Sequence, residues 1–152
     1  MQNTHNEDAL AAALLDLTGM LNSPRQDDIL LREAGVALDR ALFPLLVRIG
    51  AAGSIGVVEL AEKVGRDHST ISRQIAKLES LGLIARQRGA RDQRLREASV
   101  TAEGQRVVQS ITEARRRLLG LLLAGWSAED RTALTRLNRR LADAMRQARR
   151  AE

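Results

Sequence analysis

Within residues 63–96, nine basic side chains (Lys63, Arg66, Arg73, Lys77, Arg86, Arg88, Arg91, Arg94 and Arg96) stand against Asp67, Glu79 and Asp92, a surplus of six charges where the whole chain carries +5. Arginine's planar fork holds phosphates and paired base-edge acceptors through two parallel hydrogen bonds, and each phosphate neutralised releases condensed counterions. Ser69, Thr70, Ser72 and Gln74 add short hydrogen-bonding side chains to the same stretch. The chemistry open to this set is recognition of a polyanion. A solvated basic face is the bland alternative, and codon bias in a GC-rich genome accounts equally well for the chain's arginine excess, Lys63 and Lys77 being its only lysines. Covalent chemistry has little to work with. His5 and His68 are the two histidines and there is no cysteine, so no nucleophile triad, zinc site, disulfide or thiol sensor can be assembled. A glycine-rich nucleotide loop is absent as well, and no cofactor and no enzyme activity are expected.

The elements that must position these residues are legible around them. Val57 to Val64 reads as a short helix closed by Gly65, and Asp67 caps a second helix running through Ser80 and closed by Gly82. In the second helix Ile71, Ile75 and Leu78 share one face, while Thr70, Arg73, Gln74 and Lys77 fall on or near the other. Leu83–Arg88 and Arg94–Val100 read as extended strands joined by a hairpin loop at 89–93, the second weakened by Glu97 and Ala98 and expected to be short or frayed.

Helices flank this centre. Leu10, Leu14, Leu17 and Leu21 form a narrow apolar stripe ending near Ser23-Pro24, and His5 lies in a polar terminal stretch expected to be mobile. A short helix over 27–34 and another over 39–50 follow, the latter kinked or started late by Pro44. Thr101 caps a long helix toward Leu123, and Ser127 opens a last one with Leu134, Leu137, Leu141, Ala144 and Ala148 at heptad spacing, a seam that seeks another helix. At 152 residues with 44% hydrophobic and 28% charged composition the chain suits one folded unit, and its 1% aromatic content argues against single-strand readers that stack bases. No apolar run reaches the roughly 18 residues of a membrane span and the N-terminal residues are not a secretion signal, so no membrane partner and a cytoplasmic location are expected.

Glu59-Leu60-Ala61-Glu62-Lys63-Val64-Gly65, Asp67-His68-Ser69-Thr70-Ile71-Ser72-Arg73-Gln74, Leu78-Glu79-Ser80-Leu81-Gly82-Leu83-Ile84, Asp92-Gln93-Arg94 and Thr101-Ala102-Glu103-Gly104 together resemble the MarR (multiple antibiotic resistance regulator) family of bacterial transcription factors. The resemblance is clearest over 40–104. It implies a mainly α fold with a small β-hairpin wing, that is, a winged helix-turn-helix at 37–101 between dimerisation helices at 1–36 and 102–152. It further implies a homodimer that binds near-palindromic double-stranded DNA, usually as a repressor, and a small, frequently aromatic anionic, effector that releases it.

On this resemblance the DNA-binding residues are Ser69, Thr70, Ser72, Arg73, Gln74 and Lys77 in the recognition helix and Arg86, Arg88, Arg91, Asp92 and Arg94 in the wing. Arg73 is the leading base reader, since a bidentate guanine contact discriminates by about 1–3 kcal/mol, and Asp92 orients Arg94 toward the minor groove. Ser72 serves equally as a plain surface hydroxyl. Two positions depart from the family. Val58 stands where a capping Ser is frequent, at a cost of about 1 kcal/mol, and His68 stands where Pro often opens the recognition helix. Two other readings remain open, a winged-helix module that binds protein and an architectural DNA protein without sequence preference.

Overall fold

The computed structural model describes residues 2–89 and 96–151, which divide into two compact units meeting at Arg115/Arg116. Along the chain lie α1 (Gln2–Leu21), α2 (Pro24–Ala34), α3 (Phe43–Ala52), β1 (Ile55–Gly56), α4 (Val57–Val64), α5 (His68–Ser80), β2 (Ile84–Arg88), β3 (Arg96–Val100), α6 (Ala102–Leu122) and α7 (Ala128–Arg150). The architecture is therefore mainly α with a small sheet in strand order β1-β3-β2, all pairs antiparallel.

The first unit is built on aliphatic burial. Leu45, Leu46 and Ile49 of α3, Leu60 of α4 and Ile71, Ile75 and Leu78 of α5 are wholly withdrawn from solvent, with Ile55, Ile84 and Ala98 closing the sheet side. Burying each such Leu or Ile is worth about 1.5–3 kcal/mol, so these three helices and the sheet cohere without an aromatic centre.

Helix ends follow the capping residues. The Ser23 hydroxyl accepts from the Gln26 N–H and Pro24 occupies the first helical turn of α2, where its missing donor is not needed. Pro44 acts in the same way and delays α3 to Phe43, so the helix expected from Asp39 starts late; the Asp39 carboxylate instead accepts from the Ala41 N–H in the preceding turn. The Ser127 hydroxyl caps α7 by accepting from the Asp130 N–H.

Two expectations need correction, and one element is unexpected. The N-terminal stretch containing His5 is helical from Gln2 onward, continuous with the leucine stripe. β3 is not frayed: all five of its residues pair with β2, because Ala98 is small enough to bury at 1% exposure and Glu97 accepts a 2.6 Å hydrogen bond from the Ser54 hydroxyl. A third strand, β1, lies along β3 through Ile55↔Ala98 and Gly56↔Glu97.

The Thr101-Ala102-Glu103-Gly104 segment locks the sheet to α6. The Thr101 N–H donates to the Leu83 carbonyl at 3.0 Å and its hydroxyl donates to the Gly82 carbonyl at 2.6 Å while accepting from the Gly104 N–H. A Cβ on Gly104 would stand 2.0 Å from the Leu83 carbonyl oxygen, so only glycine fits here.

In the second unit, from Arg116, no residue of α7 is buried, and Leu119, Leu121, Leu122, Trp126, Leu134, Leu137 and Met145 are exposed. The Arg131 guanidinium donates to the Leu123 carbonyl and ties the start of α7 to the preceding turn. Among the described residues no helix is long and apolar enough to cross a membrane.

Candidate nucleic-acid interface

The turn between α4 and α5 begins at Gly65, whose φ of 70° is left-handed and suits glycine; its N–H and that of Arg66 both donate to the Ala61 carbonyl. The N-cap of α4 is Gly56 and makes no side-chain cap, so Val58 is an exposed residue within the helix and not its cap.

Asp67 then opens α5. Its carboxylate accepts from the Ser69 hydroxyl at 2.5 Å, the Thr70 hydroxyl at 2.6 Å and the Thr70 N–H at 2.9 Å, and these bonds, Ser69's first, hold its carboxyl well below the usual carboxylate range. The charge also sits at the positive end of the helix dipole. Both hydroxyl protons are thus committed to Asp67, and what Ser69 and Thr70 offer outward is lone pairs, a methyl group and nearby backbone donors.

Opposite the buried Ile71, Ile75 and Leu78, the side chains of Thr70, Arg73, Gln74 and Lys77 line a groove of about 320 Å3 whose other wall is Asp39, Ala41 and Leu42. Their spacing of three, one and three residues is that of a single helical stripe. Arg73 and Lys77 are exposed, Thr70 and Gln74 half-buried. The longest-reaching cations therefore stand outermost, free to meet phosphate or a base edge. Of the residues expected in this helix, Ser72 is half-buried and does not line the groove, while Ser69 is exposed beside the cap.

On the sheet, Arg86 is half-buried and donates to the Glu79 carboxylate at 3.3 Å, which draws it back toward α5. Arg88 is exposed and lies directly across from Arg96, also exposed. Like charges facing each other across two strands are destabilising in water, and a polyanion relieves them. Arg91, Asp92 and Arg94, together with most of the expected hairpin loop, lie outside the described residues.

Reading the sequence alone missed two members of this face as individuals. Arg96 was part of the charge count, but its partnership with Arg88 depends on a strand register set elsewhere. Arg66 follows Gly65 in the turn; its guanidinium Nη1 donates to the Ala41 carbonyl at 3.2 Å and to the Gln74 Oε1 at 3.0 Å. The signal available was a cation placed at a tight turn eight residues ahead of an amide. Among the described residues no cluster of His, Cys, Asp and Glu could hold a metal ion.

Comparison with known proteins decides the family. A profile of the MarR family matches residues 38–95, the span holding this groove. The HTH-type transcriptional regulator YxaD of Bacillus subtilis (strain 168) is 31% identical over 104 residues, 68% of this chain and 73% of YxaD. This chain belongs to the MarR family. A second regulator of the same organism, YdgJ, is 29% identical over 102 residues, 67% of this chain; the match spans 62% of YdgJ's own length. Among solved structures, MarR aligns at 27% identity with a TM-score of 0.71 over 88% of this chain and 98% of its own. A MarR family protein from Bacillus stearothermophilus gives a TM-score of 0.79 at 23% identity, over 93% of this chain and 96% of its own, a likeness of fold. The mainly α fold with its small antiparallel sheet is thus that of the MarR winged helix.

Proposed function

We propose that this MarR family chain is a homodimeric, sequence-specific DNA-binding repressor that acts in the cytoplasm. The observation that carries the reading is the outward stripe of α5, where Arg73, Gln74 and Lys77 stand on a helix whose opposite face is wholly buried. A helix so mounted fits the major groove, about 12 Å wide, with Arg73 reading a guanine edge and Lys77 a phosphate. Arg88 and Arg96 extend the contact to the adjoining backbone, and the family resemblance assigns Arg91, Asp92 and Arg94 to the same contact. A duplex supplies the facing Arg88 and Arg96 with counter-charge.

Dimerisation is supported by unpartnered apolar residues on the flanking helices. Leu10, Leu17 and Leu21 of α1 are exposed, as are Leu134, Leu137 and Met145 of α7. A second copy covers such seams, and two-fold symmetry then demands a near-palindromic site with half-sites about 10 bp apart. An effector has a place as well. A groove of about 400 Å3 is lined by Val36, Leu38, Leu83 and Val107 together with Arg106 and Glu103, which pair with each other at 2.8 Å, so what it offers a small effector is chiefly an apolar floor. Occupancy there would press on Leu83, which links α5 to the sheet.

Selection of bound fragments from a genome by the purified full chain tests the reading. Enrichment of a few near-palindromic sites, lost with Arg73→Ala, is expected; uniform recovery of fragments would overturn it.

A further inference from the structure

Gln74 can face DNA in two ways that differ in what they read. With its amide free, glutamine pairs with adenine by donating to N7 and accepting from N6. Here the carbonyl end is already used. The Arg66 guanidinium lies 3.0 Å from Oε1 and is donor-only, so the oxygen must be the atom that faces it and the NH2 must face away. The same Arg66 nitrogen donates to the Ala41 carbonyl at 3.2 Å, in the turn ahead of α3, and this second bond fixes the guanidinium against the opposite wall of the groove. Arg66 is half-buried, which limits the alternatives open to its side chain. Among the described residues no acceptor lies on the Gln74 amide nitrogen, and that atom is not sealed from solvent. Gln74 therefore turns its two N–H donors away from Arg66 and toward the groove, while one of the two Oε1 lone pairs is already engaged by Arg66.

We propose that Arg66 is a positioning residue for DNA reading: by holding the Gln74 amide oxygen it sets Gln74 to recognise an acceptor-only base edge, guanine N7 and O6, and to reject adenine. Arg66 itself touches no base. The inference rests on the duplex-reading function proposed above and adds which base Gln74 selects and what makes it do so. It also divides the cations of this region by task, Arg73 and Lys77 facing the duplex and Arg66 turned inward to the protein's own oxygens.

The test is base-preference profiling of the full-length protein on randomised duplexes, with thermal melting of every variant alongside. Gln74→Ala locates the base pair in each half-site that Gln74 reads. Wild-type protein is expected to prefer guanine there by about five-fold or more. Arg66→Met is expected to abolish preference at that same base pair, leaving the Arg73-dependent position intact; the Arg66→Met/Gln74→Ala double variant should show no further change, and Arg66→Lys, still a donor, should keep the preference. Should Arg66→Met fail to fold, Gln74→Glu serves: it retains a partner for Arg66 but turns an acceptor outward, and guanine should give way to cytosine.

Three results with the wild-type protein or Arg66→Met would overturn the proposal. They are adenine preference at the Gln74 position, an Arg66→Met variant whose preference there is unchanged, and one that weakens binding equally on all sequences, as a phosphate contact would. A guanine preference unaltered by Gln74→Glu counts against it equally. If the wild-type protein selects no sequence at all, it is the regulator reading itself that falls; a clear wild-type consensus with any of the results above sinks the Arg66 assignment alone.

Discussion

Two residues two positions apart on α5 should respond oppositely to truncation. Ile75 is fully buried among the aliphatic side chains of α3, α4 and the sheet, whereas Arg73 is exposed and donates to the Thr70 hydroxyl across 3.5 Å, a long and weak contact. Ile75→Ala removes three carbons from a closed core, a loss of about 2–5 kcal/mol. For a chain of this size that is roughly a 4–20 °C fall in melting temperature. Arg73→Ala should change stability by less than about 0.5 kcal/mol and yet weaken binding to the selected duplex by 1–3 kcal/mol, roughly 5- to 150-fold. Scanning calorimetry at one fixed protein concentration, with fluorescence anisotropy on a labelled duplex, reads both quantities. The reasoning is refuted if Arg73→Ala melts as early as Ile75→Ala, which would put that side chain in the core, or if it binds the duplex unchanged.

Other substitutions probe the remaining parts. Gly104→Ala must push the Leu83 carbonyl more than 1 Å from its present 2.0 Å approach and break its bond from Thr101; a loss of about 2–4 kcal/mol is expected by denaturant titration. Glu79→Gln releases Arg86 from its ion pair and should tighten duplex binding by up to about five-fold at low salt, surface pairs being worth about 0–1 kcal/mol. Lys77→Ala should weaken binding alike on all sequences and reduce the slope of log affinity against log salt by about one. Asp67 is held below its usual value, so the stability it adds is present above the ordinary carboxylate range and fades as pH falls below it. Acid titration of Asp67→Asn should accordingly show a lower stability at neutral pH and a shallower acid limb than wild type.

What the sequence revealed and what it hid divide along the range of the interactions involved. Gly65 and Gly82, both left-handed, and the Asp67 cap are local signals, and they bounded α4 and α5 correctly. The aliphatic stripe of α5 has a period that no other element shape could satisfy, so its buried face was readable too. Pro44 announced a disturbance of α3, but the choice between a kink and a late start depended on how the preceding turn was held by Asp39. β1 is two residues long and pairs with residues more than forty positions away, a separation at which no local pattern speaks. Ala98 and Glu97 are poor strand formers that succeed in β3 because one meets the core and the other meets Ser54. At the groove the cations were visible as a list, while the division of labour among them was not. Arg66 turns inward to Ala41 and Gln74 and Arg86 turns aside to Glu79, and both choices are made by the shape of turns that bring distant residues within 3–4 Å.

The most direct test of sequence-specific duplex binding is the affinity of the full chain for its selected site and for a scrambled duplex of the same length and composition, at matched salt. A preference of about a thousand-fold or more for the selected site is predicted. Equal affinities would contradict it, leaving the basic face a non-specific anchor.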